Sequence, residues 1–111
     1  MKIARLDLIT ALISTISLLF LSYNLEPKTI DINEINEGKI GEFVKVTGFV
    51  TQVGKSRKIT SFDLSDETNQ IRIISFEKIN ISLKENLEVI GKVDKYYGLL
   101  EIEAQKIKRL G

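Results

Sequence analysis

The 111-residue sequence contains no cysteine and no histidine, and a single proline. Those absences remove disulfides, thiol nucleophiles, Cys/His zinc sites and histidine acid–base chemistry together. No glycine loop of the Walker kind is present, and no set of side chains is spaced for catalysis. The close acidic group Asp63, Asp66 and Glu67 reads as a solvated turn in which Asp66 bonds its own backbone. The sequence therefore predicts a binding protein, not an enzyme, with no metal and no cofactor. Net charge is also lacking. From Leu25 onward there are fourteen Lys/Arg and fourteen Asp/Glu, so nothing pulls nucleic acid to the whole surface. Such a ligand would need a local basic patch.

What the chain does have is strongly uneven. Leu6–Tyr23 is predominantly apolar, broken by scattered Ser and Thr, with Asp7 alone charged at its edge. As a helix it would span ~27 Å, close to the ~30 Å of a bilayer core. Its apolar residues fall all round a helix, unlike an amphipathic surface segment. The expectation is a single-pass transmembrane anchor over residues 1–23, in the membrane through residues 6–23. A cleaved signal peptide and a buried core helix are the alternatives. The run is long for a signal core, no small-x-small site follows it, and so small a domain would struggle to enclose it. Lys2 and Arg5 precede the span and Lys28 follows it, which favours a cytoplasmic N-terminus and an extracytoplasmic domain.

Residues 24–38 read as a linker containing Pro27 and a short helix over Ile32–Glu37. Asp31-x-x-Glu34 has the form of a capping box, with Gly38 as a left-handed cap. Its isoleucines are expected to cover one end of the domain that follows, residues 39–111. There Val44, Val46, Gly48 and Val50 share one face of a strand. Phe62 and Leu64, then Ile71 and Ile73, give the inner faces of two more. Glu77–Asn86 is an irregular or helical crossing. Leu87, Val89, Gly91 and Val93 line a fourth strand; a turn at Tyr96-Tyr97-Gly98 leads into a fifth with Leu100, Ile102 and Ala104 inward. Glycines at core-facing positions of the first and fourth strands mark bulges or corners where a small barrel bends.

The pattern predicts an all-β, five-stranded OB-fold barrel preceded by a short helix and the anchor. The series Val46-x-Gly48-x-Val50, Phe62-x-Leu64-x-Asp66, Ile71-x-Ile73, Val89-x-Gly91-x-Val93, Tyr96-x-Gly98, Ile102 and Ile107 resembles the OB-fold nucleic-acid-binding family of the tRNA-anticodon and replication-protein type. The resemblance covers roughly Gly41–Leu110. It implies a ligand surface on the outer face of strands two and three. An anchor followed by such a barrel also resembles the haem chaperone of cytochrome c maturation. That family holds haem through a histidine this chain lacks, so the chemistry does not carry over.

The residues expected to act on that surface are Lys55, Arg57 and Lys58 in the first loop, Arg72 and Phe76 on the open face, and Tyr96 and Tyr97 at the opposite tip. Cations track phosphates, while rings and a guanidinium stack on bases, so the expected partner is single-stranded DNA or RNA. The alternative is an extracytoplasmic adaptor whose same barrel face takes a protein or an oligosaccharide.

Overall fold

The computed structural model describes residues 26–111, so the expected membrane span at 6–23 lies outside the described residues. Among the described residues, no helix is long and apolar enough to cross a membrane. Five strands follow: β1 (Phe43–Val53), β2 (Thr60–Ser65), β3 (Gln70–Ser75), β4 (Asn86–Tyr96) and β5 (Leu99–Arg109). They close into a barrel in the order β1-β2-β3-β5-β4, with β4 returning to β1. All neighbours are antiparallel except β3 and β5, which run parallel through three pairs, Arg72–Glu101, Ile73–Ile102 and Ile74–Glu103.

Alternation of burial follows the alternation of sequence. Val44, Val46 and Val50 of β1, Phe62 and Leu64 of β2, and Ile71 and Ile73 of β3 are buried. They meet Leu87, Val89 and Val93 of β4 and Ile102 of β5 in one core. Of the two core-facing glycines, Gly91 falls at a register shift as expected, and both positions also meet neighbouring backbone. A Cβ at Gly48 would lie 2.4 Å from the Ser65 carbonyl oxygen, and one at Gly91 would lie 2.3 Å from that of Glu103. The neighbouring backbone occupies the space of a side chain there. The register shifts fall nearby, between Val50 and Gln52 on β1 and opposite Ile90/Gly91 on β5.

The expected helix at Ile32–Glu37 is instead two 3-10 turns, Ile32–Glu34 and Glu37–Lys39. Six residues, two of them the asparagines Asn33 and Asn36, cannot sustain a helical ladder. Glu34 does reach back to the Asp31 N–H at 2.8 Å, as the capping pattern requires. Gly38 sits inside the second turn, and the left-handed conformation falls to Gly41, at φ 89°. Ile32 and Ile35 are buried against the barrel as expected, at 2% and 8% exposure. Full burial of such a side chain stabilises by about 1.5–3 kcal/mol.

Asp66, in the β2–β3 turn, holds this segment in place. One carboxylate oxygen accepts from the Ile32 N–H at 2.8 Å; the other accepts from the Thr68 N–H at 2.7 Å and the Asn69 N–H at 2.9 Å. The Glu77–Asn86 crossing contains no helix. Thr60, buried at the start of β2, fixes its first residues by accepting from the Ile79 N–H at 2.8 Å and donating to the Glu77 carbonyl at 3.0 Å.

Candidate functional site

The loop from Gly54 to Ile59, between β1 and β2, carries Lys55, Arg57 and Lys58, all exposed. Among the described residues none of the three makes an ion pair, whereas Lys39, Lys45, Arg72, Lys95, Lys106 and Arg109 all do. The loop is tied down by its backbone: the Arg57 carbonyl accepts from Lys78 Nζ at 3.2 Å. Its cations are therefore presented without being neutralised.

Two adjoining clefts cross the outer face, the first reaching this loop at Gly54. The first, about 170 Å³, is lined by Gln52, Gly54, Ser61, Asp63 and Arg72. The second, about 270 Å³, is bounded by Asp63, Gln70, Arg72, Tyr96, Leu99 and Glu101. Asp63 and Arg72 line both, so the two clefts join into one groove that runs from Gly54, at the start of the basic loop, past Arg72 to Tyr96. Tyr97 and Gly98 make the tight β4–β5 turn with positive φ at both residues, 50° and 79°, the pattern of a type I′ hairpin. The turn leaves Tyr97 87% exposed, with its ring edge-on to Tyr96 at 4.4 Å between centroids.

Phe76 does not join them. It lies one residue past the end of β3 and is 69% exposed. It is four residues from Arg72, ~13 Å along an extended chain. There it lines a separate cleft with Glu77, Ile79 and Glu103–Ile107 on the parallel seam. Because Thr60 pairs with Ser75 and Lys78 reaches Arg57, Phe76 sits at the basic-loop end of the face. Of the seven expected residues, Arg72 and Tyr96 line these clefts. Lys55, Arg57 and Lys58 stand on the adjoining loop, Tyr97 stands at the hairpin tip beside Tyr96, and Phe76 lines a different cleft.

Sequence reasoning missed the acidic company of Arg72. Asp63, Arg72 and Glu101 are directly opposite one another on β2, β3 and β5, and Asp94 of β4 lies opposite Glu101. Asp63 approaches Arg72 Nε at 3.8 Å and accepts from Gln70 Nε2 at 3.3 Å. Burial pushes the Glu101 carboxyl up, Asp94 and Glu103 add to that, and Arg72 opposes it. Alternation along the strands points Asp63 outward and could have done the same for Glu101. Nothing in the sequence announces that β5 lies beside β3.

Two kinds of comparison bear on this domain. A family model described as an OB-fold nucleic acid binding domain, of tRNA anti-codon type, matches residues 44–110. The chain belongs to that family. Solved structures similar to this OB-fold domain include asparaginyl-tRNA synthetase from Pyrococcus horikoshii, at 17% identity and a TM-score of 0.67 over 77% of this chain and 23% of that one. The chain thus spans about a quarter of that synthetase. A replication protein A heterotrimer bound to ssDNA is similar at 14% identity and a TM-score of 0.58, over 65% of this chain and 59% of that one. The S. pombe Stn1-Ten1 complex gives 15% identity and a TM-score of 0.56, over 61% and 57%. Identities this low establish the shared fold. No curated protein matches the sequence.

Proposed function

We propose that this OB-fold domain binds single-stranded nucleic acid, DNA or RNA, and does so without catalysis. The observation that carries the reading is the groove that runs from Gly54, at the foot of the loop bearing Lys55, Arg57 and Lys58, past Arg72 to Tyr96. Lys55, Arg57 and Lys58 contact phosphates. Arg72, Tyr96 and Tyr97 receive bases by stacking and guanidinium contact, and Phe76 offers a further ring at the loop end. Membership of a nucleic-acid-binding family and likeness to a replication protein bound to ssDNA support the same ligand.

Titration of the chain with labelled oligonucleotides over a range of salt tests this. Affinity should fall as salt rises, and alanine at Lys55, Arg57 and Lys58 together should flatten the log–log slope by about 2, at ~0.7 for each phosphate of a single strand left without its cation. No binding at low salt, or binding indifferent to salt, overturns the reading.

The apolar run at 6–23 would tether the barrel to a membrane with the domain on the extracytoplasmic side. Protease should then cut the domain in intact cells. Cleavage confined to inverted vesicles would reverse the orientation, and recovery of the chain in the soluble fraction would remove the anchor.

A further inference from the structure

We propose that the cleft between Arg72, Tyr96, Leu99 and Glu101 is a base-reading subsite that selects guanine over thymine or uracil. The inference rests on the reading of the barrel as a single-strand binder and adds to it a choice of base. Its starting point is a pair of side chains with unused capacity. Arg72 is met only at Nε, by Asp63 at 3.8 Å, well beyond the 2.7–2.9 Å of a charge-assisted hydrogen bond. Its two terminal nitrogens have no partner among the described residues. The Glu101 carboxylate likewise has no hydrogen bond or ion pair among them, although it is half-buried.

These two groups stand opposite each other on adjacent strands, which run ~4.8 Å apart. Guanidinium is donor-only and carboxylate is acceptor-only, with two oxygens able to take two donors. Guanine has the complementary edge. Its O6 and N7 accept from a guanidinium, and its N1–H and N2–H together address one carboxylate. Thymine and uracil offer one N–H between two carbonyls, and cytosine and adenine one amino group each. A carboxylate row also repels phosphate, so the strand must turn its bases to this part of the sheet. Tyr96 and Leu99 supply a ring and an apolar side chain against which a base can lie.

Asp63 has a different part. It is engaged by Gln70, whose Oε1 in turn accepts from the Thr51 hydroxyl at 3.2 Å. Asp63 therefore positions Arg72 and does not itself read the base. The groups facing Glu101 are Arg72 from β3, Asp94 from β4 and Glu103 on its own strand. Like charge and burial leave its ionised form poorly satisfied, a deficit that two guanine donors would relieve.

The test compares strands of about twelve thymidines that carry at their centre thymine, guanine or hypoxanthine, the last being guanine without its N2 amino group. The guanine strand should bind the chain about tenfold more tightly than the thymine strand, as a bidentate contact typically discriminates. Hypoxanthine should forfeit most of that advantage, and Glu101→Gln should bring the guanine-to-thymine ratio towards one. Equal affinity of the wild-type chain for guanine and thymine strands overturns the subsite and leaves single-strand binding standing. A guanine preference that survives both hypoxanthine and Glu101→Gln also overturns it. No binding of any strand at low salt overturns the underlying reading itself.

Discussion

Asp66 and Glu101 are both partly buried carboxylates on this barrel, and their surroundings are opposite. Asp66 receives the backbone N–H groups of Ile32, Thr68 and Asn69, together with the Thr68 hydroxyl at 2.6 Å. Burial raises its pKa, but the Thr68 hydroxyl and those three N–H groups outweigh it and hold the carboxyl below the usual aspartate value. Glu101 has burial and two like charges against it, with one guanidinium opposite and no hydrogen bond among the described residues. A carboxylate saturated by its own chain is a structural joint. One left under-satisfied beside an exposed arginine is free to accept donors from outside.

The comparison breaks first at Asp66. Asp66→Ala removes four donors' partner at once and leaves the part-buried Ile32 N–H unpaired. Hydrogen bonds to charged groups contribute about 1.5–3 kcal/mol each, and an orphaned buried group costs a similar amount. These contributions are not additive within one turn, so the variant should lose about 2–4 kcal/mol. Urea unfolding should show this as a lower midpoint with little change in slope. The sign with pH follows from the depressed folded pKa. The contribution is fully present above the ordinary aspartate value of 3.8 and is lost as pH falls through the lower folded value. Wild-type and variant stabilities should therefore converge only in strong acid. Convergence near neutral pH would show that Asp66 is not the joint described.

The same pair shows what was legible in the sequence. Parity alone placed Val44, Val46, Val50, Phe62, Leu64, Ile71 and Ile73 inward, because one face of each strand must leave water. The Val-x-Gly-x-Val repeats located the tight places of the barrel: a neighbouring carbonyl lies 2.4 Å or less from where a Cβ would stand, and at Gly91 the register also shifts. For Asp66 the local half was visible, since an aspartate in a turn bonds the next residues' backbone. Its bond to Ile32, 34 residues away, was not. Of the site, the basic loop and the tyrosine tip are local signals. The opposition of Arg72 and Glu101 comes from a parallel pairing between strands separated by all of β4. Periodicity says which way a side chain points and is silent on which strand lies next to it.

The smallest effect is at Glu101 and has the opposite sign. Its folded pKa is raised, so between the unfolded and folded values the native state holds more protons than the unfolded chain. Wild-type stability should therefore rise as pH falls through the folded value towards the unfolded one. Glu101→Gln removes that dependence while keeping the side chain's size. The variant should be slightly more stable than wild type above the folded pKa, by no more than about 0.5 kcal/mol, the usual span for partly exposed positions. That gain should fade in acid, where the wild-type glutamate is protonated in both states. Thermal unfolding at matched ionic strength across this range checks both the sign and the fading. A destabilised variant at neutral pH would mean that Glu101 already has a partner within the fold, and its carboxylate would then resemble that of Asp66. A small gain in stability together with a loss of guanine preference would instead mark Glu101 as a residue whose placement serves binding at a slight cost to the fold.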